Sequence, residues 1–206
     1  IPTARRRFLG PALAATGMVA VTGGAGLLAW RQWQATPLFS RRVETRRGQF
    51  ADLPLPAGSR IELDTATRIE VTYCRRRREV RLLEGQAMFS VAADPARPFR
   101  VEVEPLRVTV VGTRFSMRHT PAMTGDDQAR VAVEAGRVLV EARPVAGIGG
   151  DRDAVITSRS LGEGEQVSSV GDGSLTAVTA VADAGIAPWR EFRVAFDNQR
   201  LDHALA

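Results

Sequence analysis

The sequence predicts a mainly β protein: an antiparallel β-sandwich or roll of short hairpins, preceded by one transmembrane helix and followed by the start of a small βα module. Three observations carry this expectation. Apolar and polar residues alternate in short runs from Arg60 to Val170, the central ones bounded by Gly or Pro. An uncharged, mostly apolar stretch fills positions 8–30. Near the C-terminus, an alternating run from Phe192 to Phe196 meets Asp197-Asn198, good helix-capping residues, and then Leu201, Ala204 and Leu205 at helical spacing.

The apolar stretch comes first. From Phe8 to Trp30 there are 23 consecutive uncharged residues, which as a helix span about 34 Å, enough to cross a hydrocarbon core of about 30 Å. Arg5, Arg6 and Arg7 precede it, and Trp30 and Trp33 sit where an interfacial anchor belongs. The arginines place residues 1–7 in the cytoplasm as the end of a longer region, residues 8–30 in the bilayer, and the remainder outside. Arg5-Arg6-Arg7-Phe8-Leu9 also resembles the twin-arginine export pattern. No small-x-small cleavage site follows Leu28, so the segment reads as an uncleaved anchor.

Residues 31–47 read as a polar, Arg-rich linker, and the β domain as residues 48–170. Its first strands are Arg60–Leu63 and Ile69–Tyr73, with a turn at Asp64-Thr65-Ala66-Thr67. Arg75 to Arg78 are four adjacent cations, expected at a hairpin tip where water screens their repulsion. Val80 to Leu83 and Ala87 to Val91 read as two short segments joined at Gly85. Phe99, Val101 and Val103, then Val108 and Val110, then Phe115 and Met117 continue the alternation; Phe89, Phe99 and Phe115 fall on the core side. Arg130–Glu134 and Arg137–Glu141 look like a hairpin around Ala135-Gly136, and a last strand lies near 166–170. Residues 171–188 read as a connector, and 189–206 as the start of the βα module, cut short.

Composition narrows the function. All 28 cationic residues are arginine and none is lysine. They are scattered beside Glu and Asp with few aromatics, unlike a basic, base-stacking face, so nucleic acid is not an expected partner. Cys74 is the single cysteine and His119 and His203 lie far apart, so neither a disulfide nor a zinc site is expected. No Gly-x-Ser-x-Gly elbow, His-Glu-x-x-His pair or acid pair in a motif occurs. The chain reads as a binding or signalling protein without cofactor or metal, not an enzyme.

A set of motifs then becomes recognisable. Leu55-Pro56-Ala57-Gly58-Ser59 stands as a turn. Glu84-Gly85-Gln86-Ala87-Met88-Phe89-Ser90-Val91 follows Arg78 to Leu82, and Arg97-Pro98-Phe99-Arg100-Val101 and Gly112-Thr113-Arg114-Phe115-Ser116-Met117 come next. Val133 to Val138, Leu161 to Glu165, and Trp189 with Phe196 to Leu201 complete the order. In these motifs, over residues 48–201, the chain resembles the periplasmic part of FecR-type anti-sigma regulators, transmembrane sensors of iron-siderophore signalling. Ala57 departs from the family's usual Asp in the turn.

The resemblance implies an inner-membrane regulator of single-pass topology, its C-terminal part periplasmic. Its implied partners are the signalling domain of a TonB-dependent outer-membrane receptor, an extracytoplasmic-function sigma factor (through a cytoplasmic region outside this sequence), periplasmic and intramembrane proteases, and the lipid bilayer. The last motif resembles the secretin and TonB short N-terminal module, which makes Trp189, Phe192, Phe196 and Leu201 candidate partner-binding residues. Gly58, Ser59, Gly85, Phe89, Pro98, Phe99, Gly112, Thr113 and Phe115 are the motif residues with structural roles. An exported, membrane-anchored β domain binding carbohydrate or cell wall is the alternative. The topology is testable directly: reporter fusions after Gly48 should be active only as a periplasmic enzyme, and strong cytoplasmic reporter activity there would reverse the orientation.

Overall fold

The computed structural model describes residues 30, 33, 36–120, 129–143, 155–170 and 173–191. The expected membrane span therefore lies outside the described residues except at Trp30; among those described, no helix is long and apolar enough to cross a membrane. The expected strand from Phe192 and the helix after Asp197 also lie outside them.

The described residues form two sheets that share one strand. The first runs β1 (Phe39–Glu44), β4 (Arg68–Tyr73), β5 (Arg78–Ser90), β6 (Phe99–Val103), β7 (Leu106–Val110), β10 (Val138–Ala142) and β11 (Thr157–Leu161). The second runs β2 (Ala51–Pro54), β3 (Arg60–Leu63), β5 again, β8 (Arg114–His119), β9 (Ala129–Ala135), β12 (Glu165–Ser169) and β13 (Thr179–Ala180). A short helix, α1 (Asp183–Ile186), and a 3-10 turn at Pro188–Glu191 follow.

β5 is one continuous strand of 13 residues, not two segments. Its first part pairs with β4 and β6, its second with β3 and β8. Straight, residues 78 to 89 would span about 36 Å. Yet Phe89 lies 6.3 Å from Phe99, the register partner of Arg78, so the strand must curl back over itself. The curl sits at Gly85. Arg68 pairs with Glu84 and Ile69 with Leu82, leaving Leu83 as the extra residue of a bulge. Gly85 has φ +96°, and a Cβ there would come within 2.5 Å of the Thr67 Cα and 2.8 Å of the Ala66 carbonyl oxygen. Thr67 locks the bend: its hydroxyl accepts from the Gln86 N–H at 3.1 Å, and its own N–H donates to the Thr45 hydroxyl at 2.9 Å. Thr45 in turn donates to the Asp64 carbonyl at 2.6 Å.

The core fills the space between the sheets. Phe89, Phe99 and Phe115 are fully buried, Phe89 and Phe115 stacked at 5.0 Å and Phe89 and Phe99 meeting edge-on. Ile61, Leu63, Ile69, Val71, Val101, Val108, Met117 and Val131 complete it from alternate positions, as the sequence period requires.

Several expectations are corrected. The four arginines do not share a hairpin tip. Arg76 and Arg77 are exposed beside the turn closed by the Cys74 N–H and the Arg77 carbonyl, but Arg78 opens β5 and is fully buried. Its guanidinium donates to the Arg97 carbonyl at 2.8 Å and the Ala92 carbonyl at 3.1 Å, and lies 5.6 Å from the Phe99 ring. Backbone carbonyls and an aromatic face replace water around the charge. Nor are all pairs antiparallel: β6 runs parallel to β5, because the chain crosses from the second sheet back to the first through residues 91–98. Ala135-Gly136 is not a hairpin. β9 pairs with β8 and β12, β10 with β7 and β11, and the chain changes sheet at Gly136, where φ is +95°. The stretch read as a linker contains β1, whose Phe39 and Val43 pack on the core while Arg41 and Arg42 are exposed. The connector contains β13 and α1, and β2 and β11 complete sheet edges where no strand was expected.

The bend generates a paired test. Gly48 and Gly85 both have positive φ, but a Cβ at Gly48 would meet nothing within 4 Å. Gly48→Ala should cost about 1–2 kcal/mol from backbone strain. Gly85→Ala should cost about 3 kcal/mol or more, because the strain is joined by a collision with backbone at 66 and 67. Denaturant melts showing equal losses would mean that this backbone simply moves aside.

Candidate functional site

Of the motif residues, Gly58, Ser59, Pro98, Gly112 and Thr113 lie in or beside loops that meet one another, whereas Gly85 sits at the bend of β5 and Phe89, Phe99 and Phe115 in the core. Gly58, in its left-handed turn, lets the chain pass beside Ala92, and the buried Ser59 hydroxyl accepts from the Ala92 N–H at 3.1 Å. A Cβ on Gly112 would lie 2.7 Å from the Ala93 Cα, so only glycine permits that approach. Thr113 is buried, donates its hydroxyl to the Arg137 carbonyl at 3.0 Å, and accepts from the Val91 N–H at 3.0 Å through its own carbonyl. Pro98 is half-buried just before β6. These residues tie the 55–59, 91–98, 111–113 and 136–137 loops into one cap. None of them opens a cavity.

The two outer faces of the sandwich differ. Across the first sheet the register sets Arg42 opposite Glu70, Glu70 opposite Arg81, Arg81 opposite Glu102, Glu102 opposite Arg107 and Arg107 opposite Glu141. Arg42 reaches Glu70 at 3.2 Å and Arg107 reaches Glu102 at 2.6 Å. Every guanidinium in this row has a carboxylate beside it, so the face carries no field of one sign.

The second sheet is covered from outside by its own chain. Met88, Ser116 and Ala132 form a cross-strand row on the face opposite Phe89 and Phe115, and all three are buried. α1 packs against β9, with Ile186 and Ala187 buried. Glu62 begins the same row on β3, and Glu134 lies two residues along β9 from Ala132. Arg190 bridges them: its guanidinium donates to Glu62 at 2.6 and 3.3 Å and to Glu134 at 3.2 Å. Burial works against the Arg190 charge, but Glu62 and then Glu134 outweigh it and raise the pKa above its ordinary value. Glu134 also holds Arg114 at 2.9 Å.

Beside this staple lies a groove of about 620 Å³ between the β2–β3 edge and the C-terminal segment. Phe50 and Trp189 stack at its side with centroids 6.3 Å apart and planes 10° from parallel. Asp52, Arg60, Glu62, Glu134, Asp183 and Arg190 supply its charge. Such a lining can bind an extended chain or a polar ligand. Among the described residues no group of His, Cys, Asp or Glu is arranged to hold a metal ion.

Of the candidate partner-binding residues, Trp189 is placed at this groove, whereas Phe192, Phe196 and Leu201 lie outside the described residues. Sequence reasoning missed Phe50, Glu62, Glu134 and Arg190. The Arg190–Glu62 pair spans 128 positions, and no local pattern could have signalled it.

Residues 41–139 match the family described as FecR protein. Two crystal structures of a protein of Parabacteroides distasonis assigned as an anti-sigma factor, at 2.50 and 1.65 Å resolution, share the fold, each with a TM-score of 0.64. They are 21% and 22% identical to this chain; the matches cover 81% and 80% of it and 71% and 73% of theirs. No curated protein matches the chain.

Proposed function

We propose that this chain, whose residues 41–139 match the FecR family, serves as the periplasmic part of an inner-membrane anti-sigma regulator. In this reading an outer-membrane TonB-dependent siderophore receptor presents its signalling domain to the C-terminal module beginning at Trp189. The signal passes through the β domain to the span at 8–30, and stepwise proteolysis releases a cytoplasmic fragment that controls an extracytoplasmic-function sigma factor. The output of the chain is binding, with no chemical step of its own.

The observation that carries the reading is the docking of residues 183–191 on the second sheet. Trp189 and Arg190 fix the start of the C-terminal module to β3 and β9, both inside the family region, so a partner at the module has a direct handle on the β domain. Phe89, Phe99 and Phe115 are interior packing residues in this scheme and make no contact with a partner. Phe192, Phe196 and Leu201 are assigned to the receptor contact together with Trp189.

The test is a titration of the receptor's signalling domain against two versions of the protein, one ending at residue 191, which retains the docked segment, and one continuing through residue 206. The longer protein should bind at least about tenfold more tightly, roughly 1.4 kcal/mol. Equal affinities would confine the receptor site to residues 48–191 and remove the proposed role of Phe192, Phe196 and Leu201.

A further inference from the structure

We propose that residues 181–191 are a releasable latch, held on the outer face of the second sheet by Arg190, whose opening frees the C-terminal continuation from the β domain. The inference rests on the regulatory reading above for its purpose, but the latch itself is intramolecular and needs no partner to be observed.

Four features separate this segment from the elements it lies on. Its backbone is tied to the sheets sparingly: β13 pairs with β12 through Glu165↔Ala180 and Gln166↔Thr179, and the Val181 N–H donates to the Gly164 carbonyl at 2.8 Å. Beyond that point, its main-chain bonds among the described residues are internal, from the Gly185 N–H to the Ala182 carbonyl and from the Arg190 N–H to the Ala187 carbonyl. α1 has four residues and no side-chain cap, too short to be stable by itself. The groove of about 620 Å³ beside it shows that the segment leaves the face next to β2 and β3 unfilled. Finally, the Trp189 Nε1–H is buried with no hydrogen-bond partner among the described residues. An unmade bond of that kind opposes the docked state and is recovered from water on release.

What holds the segment is therefore concentrated in a few side chains. Ile186 and Ala187 are buried, Trp189 stacks on Phe50, and Arg190 reaches across the sheet to Glu62 and Glu134. The arginine is about one-third exposed and its two carboxylates about one-quarter, so the ion pairs are open to screening by salt. An element held this way opens locally while the β-core beneath stays closed.

Hydrogen–deuterium exchange on the intact chain tests this. Arg190→Ala should accelerate exchange at the Gly185 and Arg190-position amides by roughly five- to thirtyfold, with β8 and β9 amides unchanged. Arg190→Lys, which keeps the charge but loses the two-pronged contact with Glu62, should fall between wild type and Arg190→Ala. Raising the salt from low to molar concentration should speed the same amides in the wild type and have little effect in Arg190→Ala. Unchanged exchange in 181–191 after Arg190→Ala would overturn the latch. So would equal acceleration in β8 and β9, which would make the segment an integral part of the core. Because no receptor or sigma factor enters this experiment, its failure would leave the titration of the signalling domain standing, and the reverse is also true.

Discussion

The curl of β5 at Gly85 is the constraint from which the rest of the architecture follows. A strand of 13 residues can belong to two facing sheets only if it doubles over, and doubling over requires a residue that accepts φ +96° against the Thr67 backbone. Once it does, Phe89 is carried above Phe99, and β6 can return beside β5 in parallel through only a short connection. Thr45, Thr67 and Gln86 then satisfy the main-chain groups that the bulge leaves out of the ladder. The buried Arg78 serves the return path: by donating to the Ala92 and Arg97 carbonyls it fixes the crossing loop at both ends. Its charge is accommodated because the loop turns those carbonyls inward to accept from Nε and one terminal nitrogen, while the other terminal nitrogen is buried without a partner among the described residues.

How much of this was readable from residues depended on whether the signal was local. Alternation located β6 and β7 well, because each has one face on the core and one toward water, and the three buried phenylalanines fell on the expected side. The glycine at the centre of the β5 run marked a bend, although a pattern of period two could not reveal that the strand continues through it. Gly136 looked like a hairpin turn for the same reason: a chain that reverses and a chain that changes sheet use similar turn residues. Arg78 was misplaced because a run of four arginines is normally solvated, and only the fold shows which one is enclosed. β1 was hidden because two arginines at its centre mask an edge strand that needs just Phe39 and Val43 to anchor it. The groove was beyond reach, since the carboxylates that hold Arg190 come from β3 and β9 and Arg190 itself from a segment far along the chain.

The two outer faces show how one composition serves opposite ends. On the first sheet, arginine and glutamate alternate from strand to strand, which keeps an arginine-rich surface hydrated and locally neutral. On the second, the middle of the face is small or apolar at Met88, Ser116 and Ala132, with carboxylates kept to positions Arg190 can reach. The family region supplies the carboxylates, while the arginine lies beyond its end.

The order in which the chain visits the two sheets has a consequence for cooperativity. β1 enters the first sheet, β2 and β3 the second, β4 the first, and after β5 the chain passes through β6 and β7, then β8 and β9, then β10 and β11, before closing with β12. Neither sheet is complete until the other nearly is, and β5 contributes hydrogen bonds to both. Half a sandwich therefore has no independent existence, and the described β structure is built to unfold in one step. Such a body transmits displacement as a unit: a pull at β1 is felt at β9 without an intermediate yielding between them, and a backbone cut in β5 would dismantle both layers together.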